Sequence, residues 1–486
     1  MPSEIQELDD KPTPTANSFR LMFKTYIWKI LKAALPNFLV QVGGMLQDTI
    51  SFFFIGSLGD PIFLSALGFS ITWGIALGRG IMFGLASGFG GLASQAYGAK
   101  NYAKLSLMYQ KILVIQIISF VCLSAILVFT EPILITFGYD SKLAELVGLV
   151  TKVSIPSLLA YGIYETTIYY LIAQNHFQIG SYFLVLGLIL HVSCCYLFIS
   201  KFQMGIIGIA LTRDVSLITI TIGLYLYLRL YKPTSSTWLP WTKECLNGLW
   251  EYFSEIFRHG SCVYLEWMQL EVSNLVMGFT RNFTVVGAHT SGLNFVYMTF
   301  MPILGVTIAT TTYVGNCAGE GNKEKAKAYG ISGLVINFSL ASIFVLLLLF
   351  KAGWIATLYT EDKDVEEYFV VIMGIFALGL HAFSGENLIA YLLRVLNQKD
   401  FVLLNNITSF YVVGLTLQVF LTYYLEWGYK GVWIGLISGF YTNFILGLIK
   451  LCKMNLKKQI EKIHHSMKGP SIMNNTEDSE DRKSVV

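Results

Sequence analysis

The chain has 486 residues, of which 54% are hydrophobic and 13% charged, and its formal net charge is +3. Soluble domains carry roughly a quarter charged residues, so this composition argues against an ordinary soluble multidomain enzyme and indicates a protein embedded in lipid. The net charge is also too small to indicate nucleic-acid binding.

Apolar runs long enough to cross a bilayer follow one another from Pro36 to Leu451. A span needs about 20 residues, and about twelve such spans fit between these two positions. Residues 1–33 precede them as a polar segment without the short apolar core of a cleavable signal, so we expect the first span to direct membrane insertion.

The positions of the basic residues predict the topology. Lysines lie before the first span and after the second, eighth and last spans: Lys24, Lys29, Lys32, Lys100, Lys104, Lys323, Lys325, Lys327, Lys450, Lys453, Lys457 and Lys458. By the positive-inside rule these segments are cytoplasmic, as are both termini, which requires an even number of spans.

The sequence contains an internal repeat with a shift of about 222 residues. Matching positions occur in the same order in both copies: Gly56 with Gly278, Ala96 with Ala318, Gln174 with Asn397, and Gly205 and Gly208 with Gly428 and Gly431. Because each copy holds an even number of spans, both share one orientation, as in transporters built from parallel repeats. The predicted fold is an all-α membrane protein with twelve transmembrane helices in two pseudo-symmetric six-helix bundles around a central cleft.

The repeat also divides the chain. We predict a cytoplasmic N-terminal segment at 1–33, an N-lobe with helices 1–6 at 34–230, and a cytoplasmic linker at 231–249. A C-lobe with helices 7–12 follows at 250–452, and 453–486 reads as a disordered cytoplasmic tail, because it is polar and charged.

Motifs for enzymatic or ATP-driven chemistry are missing from the sequence. It has no phosphate-binding loop of the GxxxxGK type. The cysteines show no metal-type spacing and are interpreted as packing residues, so we expect no metal site and no cofactor. Without a nucleophile–base pair at usable spacing, we do not expect an enzyme.

Acidic residues inside the spans are the first functional candidates, because a charge at mid-membrane costs roughly 3 kcal/mol or more. Glu266 and Glu271 lie near the middle of the seventh span, beside Tyr264 and Trp267. Five positions turn a helix by about 140°, so both acids cannot face one point. We predict Glu266 as the cavity acid that exchanges a proton, with Glu271 facing a neighbouring helix or the cavity edge. The alternative is a pair of structural acids bonded to adjacent helices.

Further polar candidates lie in both halves. Glu165 and Glu386 occupy nearly equivalent places in the fourth and tenth spans, where they either form paired contacts on opposite cavity walls or bond within their own lobes. Asp48 is either a cation ligand in the N-lobe or a group that hydrogen-bonds between helices. The adjacent Arg213 and Asp214 are expected to neutralise charges near the membrane interface.

Four segments stand out as motifs: Gln95 to Lys100 after the second span, Trp241 to Trp250 before the seventh, Cys262 to Trp267 within it, and Val314 to Asn316 at the eighth. Together they resemble one known family, the multidrug and toxic compound extrusion (MATE) transporters of the eukaryotic type. The resemblance implies twelve helices in two bundles, rocker-switch alternating access, and proton-coupled or sometimes sodium-coupled export of organic cations and other amphiphiles.

The resemblance also carries over to single residues. Glu266 matches an acid that members of this kind carry in the seventh helix, and Glu271 matches a second one. An eighth-helix acid of some relatives is replaced by Asn294, and their tenth-helix acid falls on Phe383, one turn before Glu386.

The N-lobe departs further from the family pattern. His191 and Cys195 replace an asparagine and an aspartate of bacterial relatives, and Asp48 is displaced by about one turn from their first-helix aspartate. With Tyr297 on the eighth helix, the predicted proton- and substrate-binding set is Glu266, Glu271, Glu386, Glu165, Asp48, Asn294, Trp267, Tyr264, Tyr297 and His191.

The predicted function is cation-coupled antiport, with H⁺ or Na⁺ as the coupling ion, that exports small organic and mainly cationic solutes. The alternative is a flippase for lipids or lipid-linked oligosaccharides, whose cleft should be lined with arginine and lysine if it carries anionic head groups. We expect a monomer in the plasma membrane or in a vacuolar or vesicular membrane, with no nucleic-acid partner.

Overall fold

The computed structural model describes residues 16–231, 234, 236–280 and 282–469, and for residues 16–23 and Phe283 the backbone alone. Long helices make up nearly all of this part of the chain. The first six are α1 (Ala16–Gly56), α2 (Pro61–Gly98), α3 (Tyr102–Leu127), α4 (Ser141–Val153 and Ile155–Ala173), α5 (Phe177–Lys201) and α6 (Gly205–Tyr231). The others are α7 (Leu249–Gly278), α8 (Phe283–Glu320), α9 (Lys323–Ala356), α10 (Lys363–Val395), α11 (Lys399–Tyr424), α12 (Tyr429–Lys453) and α13 (Leu456–Lys468).

Twelve of these helices have the length of membrane spans. Among the described residues, ten are both long and apolar enough to cross a bilayer, and α4 makes an eleventh, although its two segments are bent by 50°. The twelfth is α7, whose 30 residues exceed the length that a span requires. The chain is therefore a multi-pass integral membrane protein.

Short polar side chains set where the helices begin. Asp60 accepts a hydrogen bond from the Ile62 backbone N–H, and Pro61 occupies the first turn of α2. Asn101 and Asn322 cap α3 and α9 in the same way, each accepting from the backbone N–H three residues later. Such caps bind backbone donors that otherwise lack partners, which is why the chain turns sharply at these positions.

The backbone repeats its unusual turns in the two halves. Residues with positive φ occur in pairs separated by about 222 residues: Asn175 with Asn397, Gln203 with Glu426, and Gly205 with Gly428. Left-handed backbone is costly for residues other than glycine, so its recurrence at matching positions reflects one chain path used twice. We call α1–α6 the N-lobe and α7–α12 the C-lobe.

The two lobes approach most closely where α2 crosses α7 and α8. A Cβ atom added at Gly84 would lie 2.9 Å from the Gly260 carbonyl oxygen, and one added at Gly88 would lie 2.8 Å from the Ile256 carbonyl oxygen. Glycine is needed at these positions because any side chain would push the backbones apart. Nearby, Gln95 Nε2 donates to the Val395 carbonyl oxygen at 2.6 Å. These contacts lie in the half of the bundle that ends at Lys100, Lys104 and Lys323–Lys325, which we call the lysine-rich end.

The C-terminal tail differs from the sequence prediction. Residues 456–468, predicted to be disordered, form the helix α13, whose Ile460, Ile463 and Met467 are buried. This helix lies across both lobes, because its backbone carbonyls accept from Asn101 and Lys104 of the N-lobe while His464 contacts the Gly319 carbonyl oxygen at 2.6 Å. Burial of one apolar face stabilises this helix, although its composition is mostly polar. Residues 470–486 of the predicted tail lie outside the described residues.

The N-terminal segment also differs in its boundary. Helix α1 begins at Ala16 rather than near residue 34. Ile30, Ala33 and Ala34 are buried, so the first helix already packs on protein within the stretch predicted as a polar leader. Residues 1–15 lie outside the described part of the chain.

Candidate functional site

A buried carboxylate lies at the centre of the C-lobe. Glu266 on α7 is 5% exposed, and its Oε1 accepts a hydrogen bond from Asn387 Nδ2 of α10 at 2.5 Å. The Asn387 Oδ1 accepts from the Thr307 hydroxyl of α8 at 2.8 Å, and Thr307 accepts from Asn337 Nδ2 of α9 at 3.1 Å. The result is a chain of hydrogen bonds that links four helices and ends on Glu266, a group able to gain or lose a proton.

A second acid lies in the same interior. Glu386 on α10 is fully buried, and neither of its carboxylate oxygens has a hydrogen-bond partner among the described residues. It directly precedes Asn387, the residue that donates to Glu266. An ionised carboxylate without a partner is costly in such surroundings, so a neutral carboxyl is the form that this environment accommodates.

Glu271 faces a neighbouring helix at the edge of the site. It lies five residues beyond Glu266 on α7, where its Oε1 accepts from the Tyr297 hydroxyl of α8 at 3.0 Å and its Oε2 accepts from Asn274 Nδ2 at 3.3 Å. The residue is half-buried, and Asn294, one turn before Tyr297, is exposed. The structure therefore brings Glu271 and Tyr297 together and turns them away from Glu266.

Asp48 is bound by arginine in the N-lobe. Its carboxylate forms a close ion pair with Arg213 of α6, and Arg79 of α2 lies 3.9 Å away. The structure thus places Asp48 as a group that links three helices, the second of the two roles considered for it. Of the adjacent Arg213 and Asp214, the first neutralises the charge of Asp48, and the second accepts from the Ser157 backbone N–H at 3.1 Å.

Two further N-lobe candidates are buried within their own lobe. The His191 ring contacts the hydroxyls of Ser51 at 3.0 Å and Ser216 at 3.2 Å, which ties α5 to α1 and α6. Glu165 is 8% exposed on α4, and Glu386 is enclosed in the other lobe. The carboxylate of Glu386 has no hydrogen-bond partner among the described residues, so no hydrogen bond joins the two acids that the repeat pairs.

The predicted aromatic residues lie between the lobes. The Tyr264 hydroxyl donates to the Ala76 carbonyl oxygen of α2 at 2.8 Å. Trp267 packs against Phe83 of α2, with ring centroids 5.1 Å apart, and against Phe300 of α8 at 6.3 Å. These side chains sit on α7 beside Glu266, so a movement of α2 against α7 changes the surroundings of that carboxylate.

Sequence reasoning missed three members of the C-lobe chain, Asn387, Thr307 and Asn337. Asn387 directly follows a predicted acid, and Asn337 lies inside a span, where a polar amide needs a partner. Those two signals were available in the sequence. Thr307 offered none, because a threonine can satisfy its hydroxyl on its own helix.

Metal ligands do not cluster in the described part of the chain. No group of three histidine, cysteine, aspartate or glutamate residues there is arranged to hold a metal ion. The chemistry that the geometry offers is proton exchange and hydrogen bonding.

Comparison with known proteins gives consistent matches along the chain. The MatE family model matches residues 34–197 and 262–420. The human multidrug and toxin extrusion protein 1 is 29% identical over 463 residues, covering 93% of this chain and 79% of the relative. DETOXIFICATION 16 of Arabidopsis thaliana is 28% identical over 441 residues, covering 88% and 87% respectively.

Solved structures show the same fold. The eukaryotic MATE transporter AtDTX14 superposes with a TM-score of 0.85 at 22% identity, over 92% of this chain and 99% of that one. A MATE family transporter described in an outward-facing conformation gives a TM-score of 0.79 at 18% identity, over 90% and 96%. The predicted twelve-helix, two-bundle fold is confirmed, as is the prediction of a transporter rather than an enzyme. On the family model's match to most of its length, the chain belongs to the MatE family of multidrug and toxin extrusion transporters.

Proposed function

We propose that the protein exports small organic cations and related amphiphiles in exchange for protons, by alternating access between its two lobes. The observation that carries this proposal is Glu266, an acid removed from water yet bonded through Asn387 to the rest of the C-lobe. A carboxyl of this kind changes its hydrogen bonds when it gains a proton, because the protonated form can donate as well as accept.

Coupling follows if substrate and proton favour different states. Protonation of Glu266 removes a negative charge from the C-lobe, which weakens the attraction for a cationic substrate. Differential affinity in the two orientations then makes the exchange obligatory. Glu386 supplies a second protonatable group in the same interior. We assign the lysine-rich end to the cytoplasm, by the positive-inside rule.

The contacts between the lobes support an assignment of the conformational state that the structure represents. The contacts between α2 and α7 and between Gln95 and Val395 lie in the half of the bundle next to the lysine-rich end. With that end cytoplasmic, the structure corresponds to the state that is closed toward the cytoplasm. The printed descriptions of the relatives, which name multidrug and toxin extrusion, support export as the direction of transport.

The flippase alternative finds less support. Arg79 and Arg213 are basic residues of the kind that an anionic head group would need, but both lie against Asp48. Their charge is therefore partly neutralised within the protein. Lipid scrambling by proteoliposomes, measured with a fluorescent lipid and dithionite, distinguishes this alternative from antiport.

The test is transport in proteoliposomes under separately imposed gradients. A pH gradient should drive movement of a fluorescent organic cation, and a sodium gradient alone should not. Glu266→Gln should lower the pH-driven rate at least tenfold. The matched control is Glu251→Gln, an exposed acid in the first turn of the same helix. Undiminished pH-driven transport by Glu266→Gln would remove the proposal, and sodium-driven transport would reassign the coupling ion.

A further inference from the structure

A small cavity lies on the boundary between the lobes, in the half next to the lysine-rich end. It measures about 40 Å³, whereas one water requires roughly 10–15 Å³ in such a measurement. The N-lobe contributes Ser87 and Tyr169 to its lining, and the C-lobe contributes His259, Tyr391 and Arg394. None of these five side chains belongs to the hydrogen-bond chain of Glu266.

Arg394 brings a buried positive charge to this cavity. The residue is 5% exposed, and its Nη1 donates to the His259 carbonyl oxygen at 3.3 Å. The guanidinium lies 3.7 Å from the centroid of the Tyr391 ring. Within the described residues it has no carboxylate at ion-pair distance. A guanidinium keeps its charge in proteins and carries five donors, so one backbone acceptor leaves most of its capacity unused.

Two phenols have unused hydroxyls at the same place. The oxygens of Tyr169 and Tyr391 are buried, and in the part of the chain that the structure describes neither makes a hydrogen bond of normal length, although the Ser87 hydroxyl lies near both. Ser87, 8% exposed, adds a third hydroxyl to the lining. A charge and several hydroxyl groups therefore line one space, and no carboxylate of the described residues lies at ion-pair distance from that charge.

Water alone does not meet this requirement. Water molecules can accept from the phenols, but they leave Arg394 without a counter-ion at ion-pair distance, and burying a charge without a close counter-ion is costly. An anion does both, because it accepts hydrogen bonds and neutralises the guanidinium. The volume limits the ligand to a monatomic ion or one of similar size, which excludes a drug-sized organic anion.

We propose that this cavity binds one small monovalent anion of halide size, held by Arg394 with the hydroxyls of Tyr169 and Tyr391. Because its lining comes from both lobes, the anion binds the joined arrangement better than one in which α2 and α10 have separated. By linkage, the anion then stabilises the state that is closed at the lysine-rich end. This ligand is distinct from the proposed coupling ion and from the transported solute.

The test is equilibrium binding of radioactive chloride to the purified full-length protein in detergent, with gluconate replacing chloride at constant ionic strength. Wild type should bind one chloride per chain saturably, and its midpoint of thermal unfolding should rise with chloride but not with gluconate. Tyr169→Phe and Tyr391→Phe each remove one hydrogen bond to a charged ligand and should weaken binding at least tenfold. Arg394→Gln should abolish it.

The matched control is Arg258→Gln, on the helix that also carries His259. Arg258 is 44% exposed and already lies near Glu255 and Asp400, so chloride affinity should stay at the wild-type value. Absence of saturable binding by wild type would overturn the proposal. Equal chloride affinity in wild type and both phenylalanine variants would also overturn it. These two variants keep the aromatic rings and their packing, so the test stands even if Arg394→Gln does not fold.

Discussion

The contact between Gly84 and Gly260 predicts that one methyl group will shift the protein between its conformational states. In Gly84→Ala the new Cβ would lie 2.9 Å from the Gly260 carbonyl oxygen and 3.3 Å from its carbonyl carbon. Carbon contacts are most favourable at about 3.5–4.0 Å, and backbone atoms cannot rotate away as a side chain can. Helices α2 and α7 must therefore separate by several tenths of an ångström.

The magnitude follows from the cost of overpacking. An added methyl group in a close-packed contact costs about 1–3 kcal/mol. This cost applies to the joined state alone, because the two glycines do not touch once the lobes part at the lysine-rich end. A change of about 1–3 kcal/mol corresponds to a shift of about 5–150-fold in the equilibrium between the two states.

Alkylation of Cys317 reports this equilibrium. Cys317 lies on α8 near the lysine-rich end and is 6% exposed, so we expect a maleimide to reach it faster when this end of the protein opens. In a chain whose other cysteines are replaced by alanine, Gly84→Ala should raise the alkylation rate by at least fivefold. The control is Gly44→Ala on α1, where an added Cβ meets nothing within 4 Å. Equal rates in Gly84→Ala and wild type, with both folded, would refute the reasoning.

Three further predictions test other parts of the structure. Asn387→Leu removes the donor to Glu266, a hydrogen bond of about 1.5–3 kcal/mol, and should lower pH-driven transport at least tenfold in proteoliposomes; a wild-type rate would contradict the role of the C-lobe chain. Asp48→Asn should lower the free energy of unfolding, measured by thermal unfolding, by about 1–3 kcal/mol. This loss is smaller than for a fully buried ion pair, because about a fifth of each side chain is exposed. Adding Arg213→Gln should restore part of the lost stability. A chain that ends before α13 should show faster Cys317 alkylation, because the contacts that this helix makes with both lobes are lost; an unchanged rate would show that α13 does not hold the lobes together.

The fold was accessible from the sequence because the bilayer restricts what a chain can do. Every backbone polar group in lipid must be satisfied within the protein, so long apolar runs become helices. The same restriction made Glu266 and Glu271 conspicuous among so few intramembrane charges. The repeat then gave the division into two bundles, and the positive-φ turns at Asn175 and Asn397 show the repetition in the backbone itself.

The partners of the polar residues were not accessible in this way. Asp48 pairs with Arg213, a residue far along the chain, and periodicity along one helix does not tell which other helix lies against it. Arg394 was not among the candidates from the sequence, since nothing in its neighbourhood showed that the residue faces a cavity. Helix α13 was missed because its apolar residues, Ile460 and Ile463 among them, are outnumbered by charged ones.

The polarity of α7 has a consequence for how the protein is made. This helix is absent from the spans that length and hydropathy identify among the described residues, since it carries Glu266, Glu271 and several other polar groups. A segment of this kind is poorly retained by lipid on its own during synthesis. It is held in the membrane once it packs against α2 at Gly84 and Gly88. We therefore expect the N-lobe to assemble first and to act as an insertion partner for α7, so that a C-lobe synthesised alone should fail to integrate this helix.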